Sequence, residues 1–391
     1  MNSPLLIVGA SVRAAAESAS QAGFQPFAID LFNDTDLTHL GPCSLSENYP
    51  DDLPALAAEF ASMPFLYTGA VENHPSIITE LSKTRELLGN TAENIQKLRD
   101  PFQLRDLLES HSFPTAELRE ADDPPGNFFG WLIKPYQSGH GLQIRPASEN
   151  IHPEREYYQR LISGISIGAL FLANGTECRL IGLHQQLTGL HPDPKHSFLF
   201  SGALAPYVLP ERATETIVEI GQLICRTTGL RGLFGCDFIF REVPYLLEVN
   251  PRYTAATELW ERLLKRPLIA DHVIACREGT LPEREETIDR DGPSQLKLIL
   301  YVPQSTQIPP KLTHCVEDIP EALLADLPTA GHQIAPGNPL CTLLVEGPTP
   351  GQCRDVLQLA WDRIAVICQW DPVYSRSMLE NTIERIAPKY P

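Results

Sequence analysis

Apolar runs and helical periods alternate along the first ninety residues. Leu5 to Val8 is a continuous apolar run meeting Gly9-Ala10-Ser11; Val12 to Ala22 then keeps a helical period and stops at Gly23. A second run, Pro26 to Ile29, ends in Asp30, and a third, Pro64 to Tyr67, leads into Thr68-Gly69-Ala70-Val71-Glu72-Asn73-His74-Pro75. This β-α-β pattern predicts a parallel sheet with a ligand edge at the strand C-termini, where Gly9, Ser11, Asp30 and Glu72 would stand. The layout also suits a dinucleotide fold. However, Gly9 is followed by Ala10, Ser11, Val12, Arg13 and Ala14, so the full G-x-G-x-x-G is missing.

From Asn94 the text reads as an amphipathic helix followed by a strand-like segment after Phe113-Pro114. Trp131 to Pro135 is a strand whose Lys134 is followed by Ser138-Gly139-His140-Gly141. A glycine-flanked loop can bring backbone N–H groups against phosphate oxygens, and a strand-end lysine adds a point charge. Gly168 to Ala173, Asn174-Gly175 and Cys178 to Leu183 read as strand, turn and strand, and Glu211 to Thr228 as a helix ending at Gly229.

The sharpest pattern is LFGCDFIFREVPYLLEVNPRY, Leu233 to Tyr253. Phe238 to Phe240 and Tyr245 to Val249 are β-prone runs separated by Arg-Glu-Val-Pro, which predicts a hairpin turning near Glu242 and Val243. That turn sets Asp237 opposite Glu248, and strand alternation puts Asn250 on the same face. Two facing carboxylates and a carboxamide form an oxygen-only set suited to Mg²⁺ or Mn²⁺. Arg252, two residues on, suits bidentate grip of phosphate or carboxylate oxygens.

Charge and composition narrow the class. The 391 residues carry a net charge of −18 with no basic block, which argues against nucleic acid and anionic membrane as partners and for small molecules. No run approaches about 18 apolar residues, and MNSPLLIVGAS lacks a basic leader, so a cytoplasmic location is expected. Nine cysteines without a C-x-x-C pair read as buried free thiols. Beyond Gly279 a charged stretch, LPEREETIDRDGPSQ, marks a boundary before a β-rich region. Its His314 and His332 lack metal-ligand spacing.

GCDFIF followed by LLEVNPR resembles the metal-binding signature of the ATP-grasp superfamily, and WLIKPYQSGHG lies about a hundred residues upstream, in the order that family uses. The resemblance covers roughly Asn94 to Gly279 well, the first ninety residues by pattern, and the last hundred poorly. It implies an α/β ATP-grasp fold: an N-terminal parallel α/β domain (1–92), two nucleotide-clasping α+β lobes (93–280) and a small β-rich C-terminal module (281–391). It implies ATP and Mg²⁺ (or Mn²⁺) as cofactors, with the metal on Asp237, Glu248 and Asn250. Lys134, Ser138, Gly139 and Gly141 would hold phosphates, and Gln159, Arg160 and Leu161 of the YYQRLISG hinge would meet the adenine. Arg252 and Lys134 would be catalytic, and Ser11, Arg13, Glu72 and His74 would face the non-nucleotide substrate.

Two departures stand out. The family's Asp-Lys pair falls on Asp100-Pro101, leaving Lys97, Arg99 or Arg105 as replacements, and its ribose glutamate falls on Ser166. Ser166 and the YYQRLISG hinge resemble the tyramine–glutamate ligase side of the superfamily, which implies an amino-acid carboxylate or amine in one-carbon coenzyme biosynthesis. The activity implied is ligation of a carboxylate to an amine through an acyl phosphate, giving ADP and phosphate, with a homodimer left open. A biotin-carboxylase-like enzyme, a small-molecule kinase and a non-catalytic ATP-binding module are the alternatives.

Overall fold

The computed structural model describes residues 3–137, 139–283 and 292–386. A four-stranded parallel sheet comes first, in the order Cys43–Leu45, Phe24–Asp30, Ser3–Val8, Phe65–Tyr67. Its central strand is apolar on both faces, as a covered parallel strand must be, with Leu5 to Val8 essentially inaccessible. The helix Arg13–Gln21 follows the first strand, as the pattern predicts.

The expected single helix after Asn94 is two, Ala92–Arg99 and Pro101–Ser110. Pro101 forces the break: its ring disfavours helical backbone at Asp100, which sits at φ −86, ψ 107. Asp100 then caps the second helix, accepting from Phe102 N at 2.9 Å and Gln103 N at 3.0 Å.

Two antiparallel sheets follow. The small one runs Leu118–Arg119, Glu156–Arg160, Trp131–Pro135, Arg145–Pro146. The large one has eight strands in the order Pro244–Asn250, Arg231–Phe240, Ile165–Asn174, Cys178–Thr188, Phe200–Ala205, Ser294–Tyr301, Pro339–Gly347, Ala322–Ala325. Helix Glu211–Thr228 covers it, burying Ile217, Ile220 and Ile224 and ending at Gly229 in the left-handed conformation. Gly221 on that helix is a packing requirement: a Cβ there would lie 2.7 Å from the ring of Phe171, which stacks on Phe234 at 4.9 Å. The last three strands of this sheet come from the C-terminal region, so the sheet runs across the expected boundary at residue 280 through pairing of Phe200–Ala205 with Ser294–Tyr301. The nine cysteines are free. Among the described residues no helix is long and apolar enough to cross a membrane.

Candidate functional site

The hairpin has the predicted register. Strand Arg231–Phe240 pairs with Pro244–Asn250, Asp237 lies opposite Glu248, and a bulge follows at Asp237/Phe238. Asn250 Nδ2 donates to Asp237 Oδ2 at 3.0 Å and to Glu248 Oε1 at 3.3 Å, so one amide bridges both carboxylates. Burial pushes the Asp237 carboxyl well up, and the Glu248 charge adds to this. Burial acts the same way on Glu248, but the charges of Lys134 and Arg99 outweigh it and hold Glu248 below its usual range. Facing buried carboxylates titrate as a pair, and a cation or a shared proton relieves their repulsion.

The sequence reading missed Gln186. Its Nε2 donates to Asp237 Oδ1 at 2.6 Å, and its Oε1 accepts from Ser166 Oγ at 2.8 Å. Ser166 thus belongs to the hydrogen-bond chain that orients Asp237. Alternation along Cys178–Thr188 puts His184, Gln186 and Thr188 on one face, which is the signal that was available.

Lys134 is buried on its strand and donates to Gln159 Oε1 at 3.2 Å. Lys134 lines a narrow interior: with Arg99, Tyr136, Tyr157 and Glu248 it surrounds a pocket of about 30 Å³. A larger cleft of about 220 Å³ adjoins it through shared Arg99 and Tyr136 and includes Glu72, Gln96, Asp100 and Gln137. Arg99 is therefore the basic residue placed where the missing family lysine was sought. Lys97 pairs with Glu93 and Arg105 with Asp106 at the surface.

The glycine loop folds inward. Gly141 has φ +76, and a Cβ there would lie 2.2 Å from Phe198 O, so only glycine fits. Gly139 lies near Asn73 Nδ2. Ser138 lies outside the described residues. At the hinge, Arg160 N donates to Glu117 O at 2.8 Å and Leu161 N to Gly130 O at 2.9 Å. Those two N–H groups are committed to the fold, which narrows the expected adenine contact there to carbonyl acceptors. The Arg160 side chain turns away, onto Phe129 O and over the Trp131 ring.

Arg252 is buried and joins the hairpin to the N-terminal sheet. Its Nε donates to Glu72 Oε1 at 2.7 Å, and it also reaches Asn250 Oδ1 at 3.4 Å and Tyr253 O at 3.2 Å. Gly69 packs beside its guanidinium and beside His140. Of the four expected substrate contacts, Glu72 is thus brought to the site. His74 lies two residues on, against the Tyr49 ring, where burial lowers its pKa. Ser11 stands exposed at the sheet edge, its carbonyl taking Thr68 Oγ1.

Arg13 needs correction. It is 2% exposed and donates to both oxygens of Glu258, to Asp326 at 2.9 Å and to Glu17 at 3.0 Å. Every guanidinium nitrogen is engaged, so Arg13 ties the first helix to the rest of the molecule and leaves nothing for a substrate.

The donor set fits a hard divalent cation. Among the described residues no group of three or more His, Cys, Asp or Glu side chains could hold a metal by itself. Two carboxylates and an amide oxygen would leave half of an octahedral shell for phosphates and water, and Mg²⁺ usually keeps such ligands at nucleotide sites.

Residues 98–256 match the family model described as an ATP-grasp domain. A carbamoyl phosphate synthase large chain, C-terminal section, from Methanopyrus kandleri is 22% identical over 223 residues, covering 50% of this chain and 40% of its own length. The chain therefore spans well under half of that curated relative. Among solved structures, carboxyaminoimidazole ribonucleotide synthase from Aspergillus clavatus, complexed with ATP, superposes with a TM-score of 0.70 at 14% identity, covering 94% of this chain and 99% of that one. L-amino acid ligase from Bacillus licheniformis superposes with a TM-score of 0.71 at 14% identity, covering 93% and 98%. Family match and architecture agree: residues 98–256 form an ATP-grasp domain, and the chain as a whole has the fold of these solved structures.

Proposed function

We propose that the protein is an ATP-dependent carboxylate–amine ligase acting through an acyl phosphate, with ADP and phosphate as products. The observation that carries this reading is the convergence on one buried face of Asp237, Glu248 and Asn250, with Lys134 and Arg252 beside them. In this reading Asp237, Glu248 and Asn250 hold Mg²⁺ or Mn²⁺, and Gln186 keeps Asp237 turned toward it. A cation held there would supply neutralisation of charge on the ATP phosphates. Lys134 and the Gly139 to Gly141 loop grip phosphate oxygens, and Lys134 is prepositioned by Gln159. Arg252, fixed by Glu72, faces the carboxylate being activated and stabilises charge on the acyl phosphate.

The three segments take different parts. Residues 1–92 bring Glu72, 93–280 hold the nucleotide and metal, and 281–391 brace the large sheet. The finer expectation of a substrate in one-carbon coenzyme synthesis rests on Ser166 and the YYQRLISG hinge, and Ser166 has a local task through Gln186. The carboxylate and amine are therefore assigned by class only: small molecules that fit the cleft beside Glu72.

Glu248→Gln tests the reading. Carboxylate-dependent ADP release should fall by about a thousandfold, since losing the metal charge is worth several kcal/mol, while the melting temperature holds. A panel of L-amino acids, other small carboxylates and bicarbonate supplies the substrate. A variant keeping more than about a tenth of the wild-type rate would remove Glu248 from the metal site, and dependence on bicarbonate alone would favour a carboxylase.

A further inference from the structure

Glu72 lies on the short turn Val71–Asn73 and is 1% exposed. Its Oε1 accepts from Arg252 Nε at 2.7 Å, whereas its Oε2, also buried, has no hydrogen-bond partner. Glu72 lines the cleft of about 220 Å³ together with Pro75, Ile95, Arg99 and Tyr136. Tyr49 Oη is a second buried polar atom without a partner, and the Glu72 charge, after burial, raises the pKa of that phenol. A buried carboxylate oxygen left without a donor costs about 1–3 kcal/mol or more. Such a cost is sustained at a binding site, where a ligand supplies the donor. The two oxygens of Glu72 thus differ: one fixes the arginine proposed to face the acyl phosphate, and the other is left without a donor on a residue that lines a cleft of about 220 Å³.

We propose that Glu72 Oε2 receives the incoming amine, orients its lone pair toward the acyl carbon and accepts the proton released on attack. This rests on the ligase reading above. In the step, the amine nitrogen forms a bond to the acyl carbon, the carbon–oxygen bond to phosphate breaks, and phosphate leaves with that electron pair. One N–H proton passes to Glu72 Oε2. A nitrogen that has just bonded to carbon carries positive charge and is acidic, so a carboxylate suffices as the acceptor. Arg99 in the same lining favours an amine bearing its own anionic group, which makes a small amino acid the class of amine donor.

Wild type, Glu72→Gln, Glu72→Asp and His140→Gln are compared with Mg²⁺, ATP and the L-amino acids, alone and with hydroxylamine. Hydroxylamine is a strong nucleophile that is already neutral near pH 7, so its hydroxamate reports the acyl phosphate without base assistance. Glu72→Gln should lower the ratio of amine ligation to hydroxamate formation by about a hundredfold, the scale of general-base assistance. Glu72→Asp, keeping a carboxylate, should recover part of that ratio. The proposal is overturned if Glu72→Gln keeps the wild-type ratio, if ligation and hydroxamate fall in parallel so that Glu72 acts only through Arg252, or if His140→Gln alone changes the ratio. A wild-type enzyme that forms hydroxamates from carboxylates and joins the same carboxylates to no amino acid overturns the amine class. One that forms neither hydroxamate nor product overturns the ligase reading itself.

Discussion

Two buried charge clusters meet the N-terminal sheet, and they are built differently. At one, Arg13 donates to Glu258, Asp326 and Glu17, while Lys297 Nζ lies 2.6 Å from the same Glu258, so two cations are locked among carboxylates from three parts of the chain. At the other, Arg252 holds one oxygen of Glu72 and leaves the second bare, and Asp237 faces Glu248 with hydrogen bonds from the amides of Asn250 and Gln186. The first cluster is closed by its own partners and serves as a joint. The second is incomplete and lies beside the two clefts, which marks it as the place where ligands complete the structure.

Breaking the joint should give the largest stability effect. Arg13→Ala leaves Glu258 with Lys297 alone and takes the guanidinium from part-buried Asp326, and loss of one partner of a buried pair costs about 3–5 kcal/mol. Chemical denaturation should show that drop with MgATP affinity unchanged in whatever protein remains folded. A loss below about 1 kcal/mol, the range of an exposed pair, would mean that the network is not a joint.

The converse holds at the incomplete cluster. Lys134→Ala should weaken MgATP binding about tenfold by calorimetry, about 1.4 kcal/mol, with little change in melting temperature. Equal affinity in mutant and wild type would take Lys134 out of the nucleotide site.

How legible these clusters were in the sequence depended on how local their contacts are. The Asp237–Glu248 pairing follows from a short spacer and strand alternation, and the structure has that register. The Arg252–Glu72 contact joins residues 180 apart in the chain, and no local pattern announces it. Arg13 looked like a substrate contact because it opens a helix at a sheet edge. Its partners Glu258 and Asp326 lie hundreds of residues away. Pro101 did carry the signal that divides the helix after Asn94, since proline acts on its immediate neighbour. The extension of the large sheet by Ser294–Tyr301 was not readable, because edge pairing between distant strands depends on tertiary packing.

The smallest effect concerns pH and lies beside the joint. Burial raises Asp30 to about 7, and burial followed by the charge of Asp326 raises Asp34 to about 8, against 3.8 for an unperturbed aspartate. Both hold protons that the unfolded chain has already lost, so their contribution is fully present below about pH 4 and declines until the folded pKa values are passed. The melting temperature should therefore fall between pH 6 and pH 8, and Asp34→Asn should flatten that fall in a calorimetric series. An unchanged slope would place the titration elsewhere.

The central claim is that the incomplete cluster transfers the γ-phosphoryl group of ATP to a carboxylate. Chromatography of the nucleotide products, after incubation with Mg²⁺, ATP, the carboxylate panel and hydroxylamine, tests it most directly. The account predicts ADP and phosphate in step with a hydroxamate; AMP and pyrophosphate, or a stable phosphorylated product that hydroxylamine does not intercept, would contradict it.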